Sequence, residues 1–282
     1  MNKEHEDSYI GRLIVLNPKD IFDIPSVITD EFMSHGFSVS RSRVRTEQAA
    51  KELNRPCGVY TSISTGLLNH LVDYENACAC LIEQLQPMLS PYFGKPLCIC
   101  GIGNRNLVCD SLGPEVAQRI QPEMFELSTK KLNFKKIAVI CPGIEGYTNL
   151  SSASIISSIA SVMDAACVLT IDSCRCGDLE RLCSTIQLSN AGMQTFAEKI
   201  PFNRASLGVP VVSIVVPTTI RTDDLSASEN PGSGFFLTHA HVSEAISMAA
   251  FIIACAVIQI AYPELDYENC KQYIGFFLNG IV

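Results

Sequence analysis

The sequence predicts an α/β fold: a mainly parallel open sheet with helices on both faces, plus an N-terminal α+β extension. Three observations carry that expectation. From residue 97 onward, short apolar runs recur: LCICGIG (97–103), IAVICPG (137–143), CVLTIDS (167–173) and VPVVSIVVP (209–217). Each is nearly continuous in apolar residues, as a strand covered on both faces should be. The gaps between runs are long enough for helical crossovers, which join parallel strands with a right-handed sense. Hydrophobic residues make up 47% of the chain and charged residues 18%, a balance that supports a sizeable core and excludes wholesale disorder.

Taken in order, residues 1–95 form the extension and residues 96–282 the α/β core. GVYTSI (58–63) reads as a strand of the extension. Residues 74–89 follow as a helix, with apolar residues at helical spacing. Pro91, Gly94 and Pro96 then punctuate the chain. Helices are expected around 112–120 and 153–163, between the first three runs. STIQLS (184–189) alternates polar and apolar residues and reads as a half-exposed edge strand. Residues 245–262, AISMAAFIIACAVIQIAY, are long enough to be weighed as a membrane span. Their alanines, Ser247 and Gln259, with no basic flank behind them, favour a helix packed on the sheet.

The net charge of −8 disfavours a nucleic-acid surface, which needs clustered basic residues; Arg41, Arg43 and Arg45 read as a solvated face or edge strand. Thirteen cysteines behind the polar start MNKEHEDSYI, with no secretory segment, read as reduced thiols in the cytoplasm acting as small core hydrophobes. The C-x-C pairs Cys78/Cys80, Cys98/Cys100 and Cys174/Cys176 lack the spacing of a structural zinc site.

Open α/β sheets place their chemistry beyond the carboxyl ends of the strands. Three strand exits carry polar residues. GIGNRNLVCDSLGPEV (101–116) holds Gly101, Gly103, Asn104 and Asp110; its G-x-G lacks the third glycine of a dinucleotide site, and Asp110 could equally cap the next helix. CPGIEGYTNLSSAS (141–154) supplies Gly143 and Gly146 and a serine at the start of a helix. TIDSCRCGDLERL (170–182) supplies Asp172, then Asp178, Glu180 and Arg181 in a short amphipathic turn. Two aspartates facing one crevice can divide the work of hydrolysis, one protonated as general acid and its ionised partner activating water. The same pair can hold a divalent metal that acidifies bound water. The residues leave both open.

At these residues the chain resembles the bacterial spore germination protease family. The resemblance lies in GIGNRNLVCDSLGPEV, in Pro142–Gly146, in the series from Ile171 to Gln187 that contains LERL and TIQ, and in LGVPVVSIVVPT (207–218), all in the family's order. It implies a zymogen with a prosegment at its start. The mature form would be a cytoplasmic endopeptidase of the spore core or forespore, acting on small acid-soluble spore proteins and assembling as a homo-oligomer, a tetramer in the family. It implies a fold similar to the hydrogenase maturation proteases. It makes Asp110 and Asp172 catalytic and puts Gly101, Gly103, Asn104, Gly143, Gly146, Glu180 and Arg181 around the substrate. No nucleic acid, membrane or cofactor is expected; a divalent metal, if any, would sit on Asp110 and Asp172.

The chain also departs from the family. The D-T-G-x-H-P-G-S-G loop after TIQ is replaced by Asn190, Ala191, Gly192, Met193 and Gln194; G-Q-T-G becomes Gly146, Tyr147, Thr148 and Asn149; Arg221 stands where an acidic residue is usual, and Arg175, Cys176 and Gly177 replace A-S-R. Two alternatives follow: a non-catalytic relative that binds a peptide or protein, and a metal-dependent processing protease like the hydrogenase maturation proteases. His5, His35 and His70 are scattered, and His239 and His241 read as surface or capping residues.

Overall fold

The four apolar runs become four parallel strands that form one half of a single sheet. The computed structural model describes residues 24, 26–120, 131–194, 200–225 and 234–279. Within them lie β1 (Val27–Ser34), β2 (Phe37–Val44), β3 (Gly58–Ser64), β4 (Pro96–Gly101), β5 (Lys136–Ile140), β6 (Cys167–Cys176), β7 (Thr185–Ser189), β8 (Val211–Arg221) and β9 (Phe236–Thr238). The strand order is β1-β2-β3-β7-β8-β6-β4-β5, with β9 also on β8. The β5-β4-β6-β8 block is parallel. The strands outside it pair antiparallel. The N-terminal strands therefore extend the same sheet, joined through the pairing of β3 with β7.

Helices cover both faces: α1 (Glu47–Leu53), α2 (Tyr74–Leu89), α3 (Leu112–Arg119), α4 (Ser152–Val162), α5 (Val242–Ala261) and α6 (Tyr267–Asn279). Strand alternation sorts the core into two layers. Leu97, Ile99, Leu169 and Ile171 pack with Leu81 and Leu85 of α2, Leu112 and Val116 of α3, and α5. Cys98, Cys100 and Val168 point the other way, onto Ala49 and Ala50 of α1 and Ala153, Ile156 and Ala160 of α4. Two helix starts are capped by side chains: Thr46 for α1 and Asp73 for α2 accept backbone N–H groups of the first turn, whereas Ser111 and Ser151 before α3 and α4 make no such bond.

α5 is long and apolar enough to cross a membrane by length and composition, and 72% of its most apolar window is buried within the protein. It packs on α2 and α3. Each isoleucine it buries, such as Ile246, Ile252 and Ile253, contributes roughly 2 kcal/mol.

Three expectations need correction. β7 is not a half-exposed edge: all five of its residues are buried, because β3 pairs on one side and β8 on the other. Its polar residues Thr185, Gln187 and Ser189 are buried with the rest. Of the two readings of Arg41, Arg43 and Arg45, the edge strand falls, since β2 runs between β1 and β3, and the solvated face stands: Arg45 is exposed and Arg41 and Arg43 are partly so, with Arg41 stacked on Phe32 and donating to Gln84 and Arg43 paired with Asp30. Finally, β6 and β8 continue well beyond the apolar runs that announced them. The thirteen cysteines are free thiols, most of them buried.

Candidate active site

Strand order alone singles out one crevice. From β4 the chain passes to β5 on one side and then to β6 on the other, so the order reverses between β4 and β6, where open α/β sheets form their ligand crevice. β4 stops at Gly101, opposite Ile171. β6 runs on beside β8 to Cys176. Asp172 is the first β6 residue past the β4 pairing. It lies inside its strand rather than past the strand's end, and the crevice exists because β4 turns away there. By alternation Asp172 faces the same side as Val168 and Thr170. It is 4% exposed, and its Oδ1 accepts the Ser173 N–H at 2.8 Å.

Asp110 lies in the loop that leaves β4. The Asn104 N–H donates both to the Asp110 carbonyl at 2.9 Å and to Asp110 Oδ2 at 2.8 Å. Gly103 makes the closure feasible: its φ is +122°, and a Cβ there would stand 2.1 Å from the Asp110 carbonyl oxygen. The carboxylate is thus turned to Asn104 and not to the start of α3, whose N-cap is Ser111. The turn Val108–Asp110 rests on β6, β8 and α5. Its anchor is Thr218, whose Oγ1 donates to the Cys109 carbonyl at 2.6 Å. Thr218 is available because the β6–β8 register shifts by one residue there, Cys174 pairing with Pro217 and Arg175 with Thr219. Burial raises the Asp110 carboxyl to about 6, against the opposing pull of the Asn104 N–H.

The remaining expected site residues divide. Gly101 is buried and serves packing: a Cβ would meet the Gly113 carbonyl at 2.1 Å, so its lack of one lets α3 lie directly on β4. Gly143 adopts φ +75° and its carbonyl accepts the Ser152 hydroxyl at 3.0 Å. Gly146 sits in the exposed single-turn helix Glu145–Thr148. That turn touches the first loop, for Asn104 Nδ2 lies 3.5 Å from the Tyr147 hydroxyl. Glu180 and Arg181 belong to the turn Leu179–Arg181, beyond the far end of the β6–β8 ribbon, where Asp178 accepts the Glu180 N–H. Neither Thr218 nor Tyr147 stands among the site residues expected from the sequence. A hydroxyl after proline within an apolar strand is the available signal for Thr218, and the departure from G-Q-T-G is the signal for Tyr147.

The histidines lie elsewhere. His70 Nδ1 is 3.1 Å from Glu244, and His239 Nδ1 accepts the His241 N–H at the start of α5. His5 and the acids Glu4, Glu6 and Asp7 are outside the described residues. Among the described residues no group of three His, Cys, Asp or Glu side chains is placed to hold a metal ion, and Asp110 and Asp172 are the acidic side chains that the sequence offers there. The replaced loop is tied down by its own contacts: Asn190 Oδ1 accepts the Val59 N–H at 2.8 Å, and Met193 pairs with Phe202.

An α/β sheet with a parallel block whose strand order reverses between β4 and β6 defines the class. The family model of the germination proteases matches residues 16–239, and the chain belongs to that family. It is 29% identical over 208 residues to the germination protease of Caldanaerobacter subterraneus subsp. tengcongensis, covering 70% of this chain and 64% of that one. It is 28% identical over 216 residues to the Clostridium tetani germination protease, covering 73% and 67%. With the Priestia megaterium protein the identity is 24% over 220 residues, covering 72% and 58%. The chain thus spans about two thirds or less of the length of these relatives. Among solved structures it resembles the [NiFe] hydrogenase maturation protease HycI from Thermococcus kodakarensis, with a TM-score of 0.37 and 19% identity, covering 62% of this chain and 99% of that one.

Proposed function

We propose that the chain is an endopeptidase of the germination type. It would hydrolyse small acid-soluble spore proteins inside the spore, with Asp110 and Asp172 as its acid–base pair and Gly103 and Asn104 shaping the pocket. The observation that carries this reading is the carboxyl of Asp110, raised to about 6 in the loop that leaves β4, beside the strand β6 that carries the buried Asp172. A group with that pKa exchanges its proton near neutral pH, as an acid–base catalyst must.

In this mechanism one carboxylate takes a proton from water as the water attacks the peptide carbonyl. The other carboxyl gives its proton to the departing amine. Asn104 holds Asp110 through two contacts from one N–H, so the carboxyl keeps its aim while it titrates.

The test is Asp172→Asn, assayed by the appearance of cleaved fragments from a purified small acid-soluble spore protein. Acid–base groups contribute about 10²–10⁴-fold, so the variant should retain the fold and lose at least a hundredfold in rate. Unchanged turnover would remove Asp172 from the mechanism. Binding of the spore protein by the wild-type chain without any cleavage would instead support the non-catalytic reading.

A further inference from the structure

The proposed mechanism leaves the thiols of β4 unused. Cys98 and Cys100 are two apart in β4 and point to the same face. Their sulfur atoms stand 3.6 Å from one another, and both residues are fully buried. We propose that Cys98 and Cys100 form an oxidisable dithiol, a modification site that a peroxide converts to an intramolecular disulfide within the strand feeding the candidate site.

The chemistry proceeds in two balanced steps. The Cys98 sulfur, as thiolate, attacks one peroxide oxygen; the O–O bond breaks, the second oxygen leaves as water after taking a proton, and Cys98 becomes a sulfenic acid. The Cys100 sulfur then attacks the Cys98 sulfur. The S–O bond breaks, water departs with the Cys100 proton, and the S–S bond forms. One peroxide is reduced to two waters as two thiols are oxidised. The order is set by the contact between the thiols: the hydrogen bond from Cys100 lowers the Cys98 thiol, whereas burial holds Cys100 well above its ordinary value. The sulfenic acid is therefore generated beside its resolving thiol.

Access comes by way of the sheet edge. β5 pairs only with β4 among the described strands, and Ala138, Val139 and Ile140 are already partly exposed. Fraying of an edge strand is a low-energy local opening, and it uncovers β4.

The bond would also reach the site. Two residues of strand span about 6.6 Å between Cα atoms, and disulfides most often span about 5.5–6 Å, so closure puckers β4. Gly101 follows directly, packed on the Gly113 carbonyl with no spare room, and the Asn104–Asp110 loop hangs from it. This consequence for catalysis rests on the proposed peptidase reading; the dithiol itself does not.

The experiment treats the full-length protein with hydrogen peroxide, blocks remaining thiols under denaturing conditions, and maps the peptide containing both residues by mass spectrometry. The expected result is a peptide lighter by two hydrogens with neither cysteine alkylated, restored by dithiothreitol. C100S should halt at an oxidised Cys98 with no disulfide, and C98A should leave Cys100 alkylatable; two variants guard against a failure of either to fold. Full alkylation of Cys98 and Cys100 while exposed Cys57 and Cys141 are oxidised overturns the proposal, as does a bond from either to another cysteine. Hydrolysis of a spore protein is followed in parallel: loss on oxidation and recovery on reduction are expected in the wild type and absent in C98A. Because the mass readout needs no activity, an inactive wild-type protein defeats the peptidase reading and leaves the dithiol to be decided by its own result.

Discussion

At the scale of single residues, Asp110 combines a partly buried carboxyl with a raised pKa, and the two have a thermodynamic consequence. Its folded value, about 6, lies above the ordinary 3.8, so the folded state binds the proton more tightly than the unfolded chain. Stability contributed by that proton is present below the ordinary value and is lost as pH rises through about 6. Asp110→Asn, which keeps an oxygen for the Asn104 N–H, should therefore raise stability at pH 7 by about 3 kcal/mol and change it little at pH 4. Urea denaturation of both proteins at the two pH values checks this; equal stability at pH 7 would mean the carboxyl is not perturbed. For the proposed activity, the same titration predicts a rate profile with one limb near pH 6 that disappears in the variant.

At the scale of elements, the site depends on how β4, β6 and β8 end at different heights. The bulge at Thr218 bends the β6–β8 ribbon and frees a hydroxyl to hold the turn of Asp110. Thr218→Val removes that hydrogen bond with little change of shape. It should destabilise by about 1–2 kcal/mol, because the Cys109 carbonyl is left with one fewer donor, and it should lower hydrolysis with both aspartates intact. The contact between Gly101 and Gly113 is tighter still. In Gly113→Ala the new Cβ would stand 2.2 Å from the Ile102 carbonyl oxygen, so α3 must lift from β4. A loss of about 2–3 kcal/mol is expected, read as a lowered midpoint in chemical denaturation.

For the whole molecule, the sheet is continuous from the N-terminal hairpin to β5. Removing residues up to Lys95 would strip β3 from β7 and α2 from α5. β7 would then present an unpaired, apolar edge bearing Ile186 and Leu188, and such edges template aggregation. A chain beginning at Pro96 is expected to precipitate or run as heterogeneous aggregate, and the intact chain as one discrete species; size-exclusion chromatography of both distinguishes the outcomes. Burial of α5 belongs to this scale too, since its hydropathy alone equals that of a membrane span and only its packing on α2 and α3 distinguishes the two.

The sequence by itself determined the parallel strands and the helices between them, because each is written in local terms. A strand covered on both faces must be apolar throughout, and α2 was expected over the residues it occupies. Asp110 and Asp172 stood out as charges at the margins of such runs. What only the tertiary structure decided depends on partners distant in the chain. β7 is interior because β3, more than a hundred residues earlier, pairs with it; its alternating polar residues suit an edge just as well on local grounds. Asp172 lies inside a strand because β8 extends beside β6 after β4 has left. The hold of Thr218 on the Asp110 turn likewise spans 109 positions. Periodicity reports which face of an element is covered, and only the folded chain supplies what covers it.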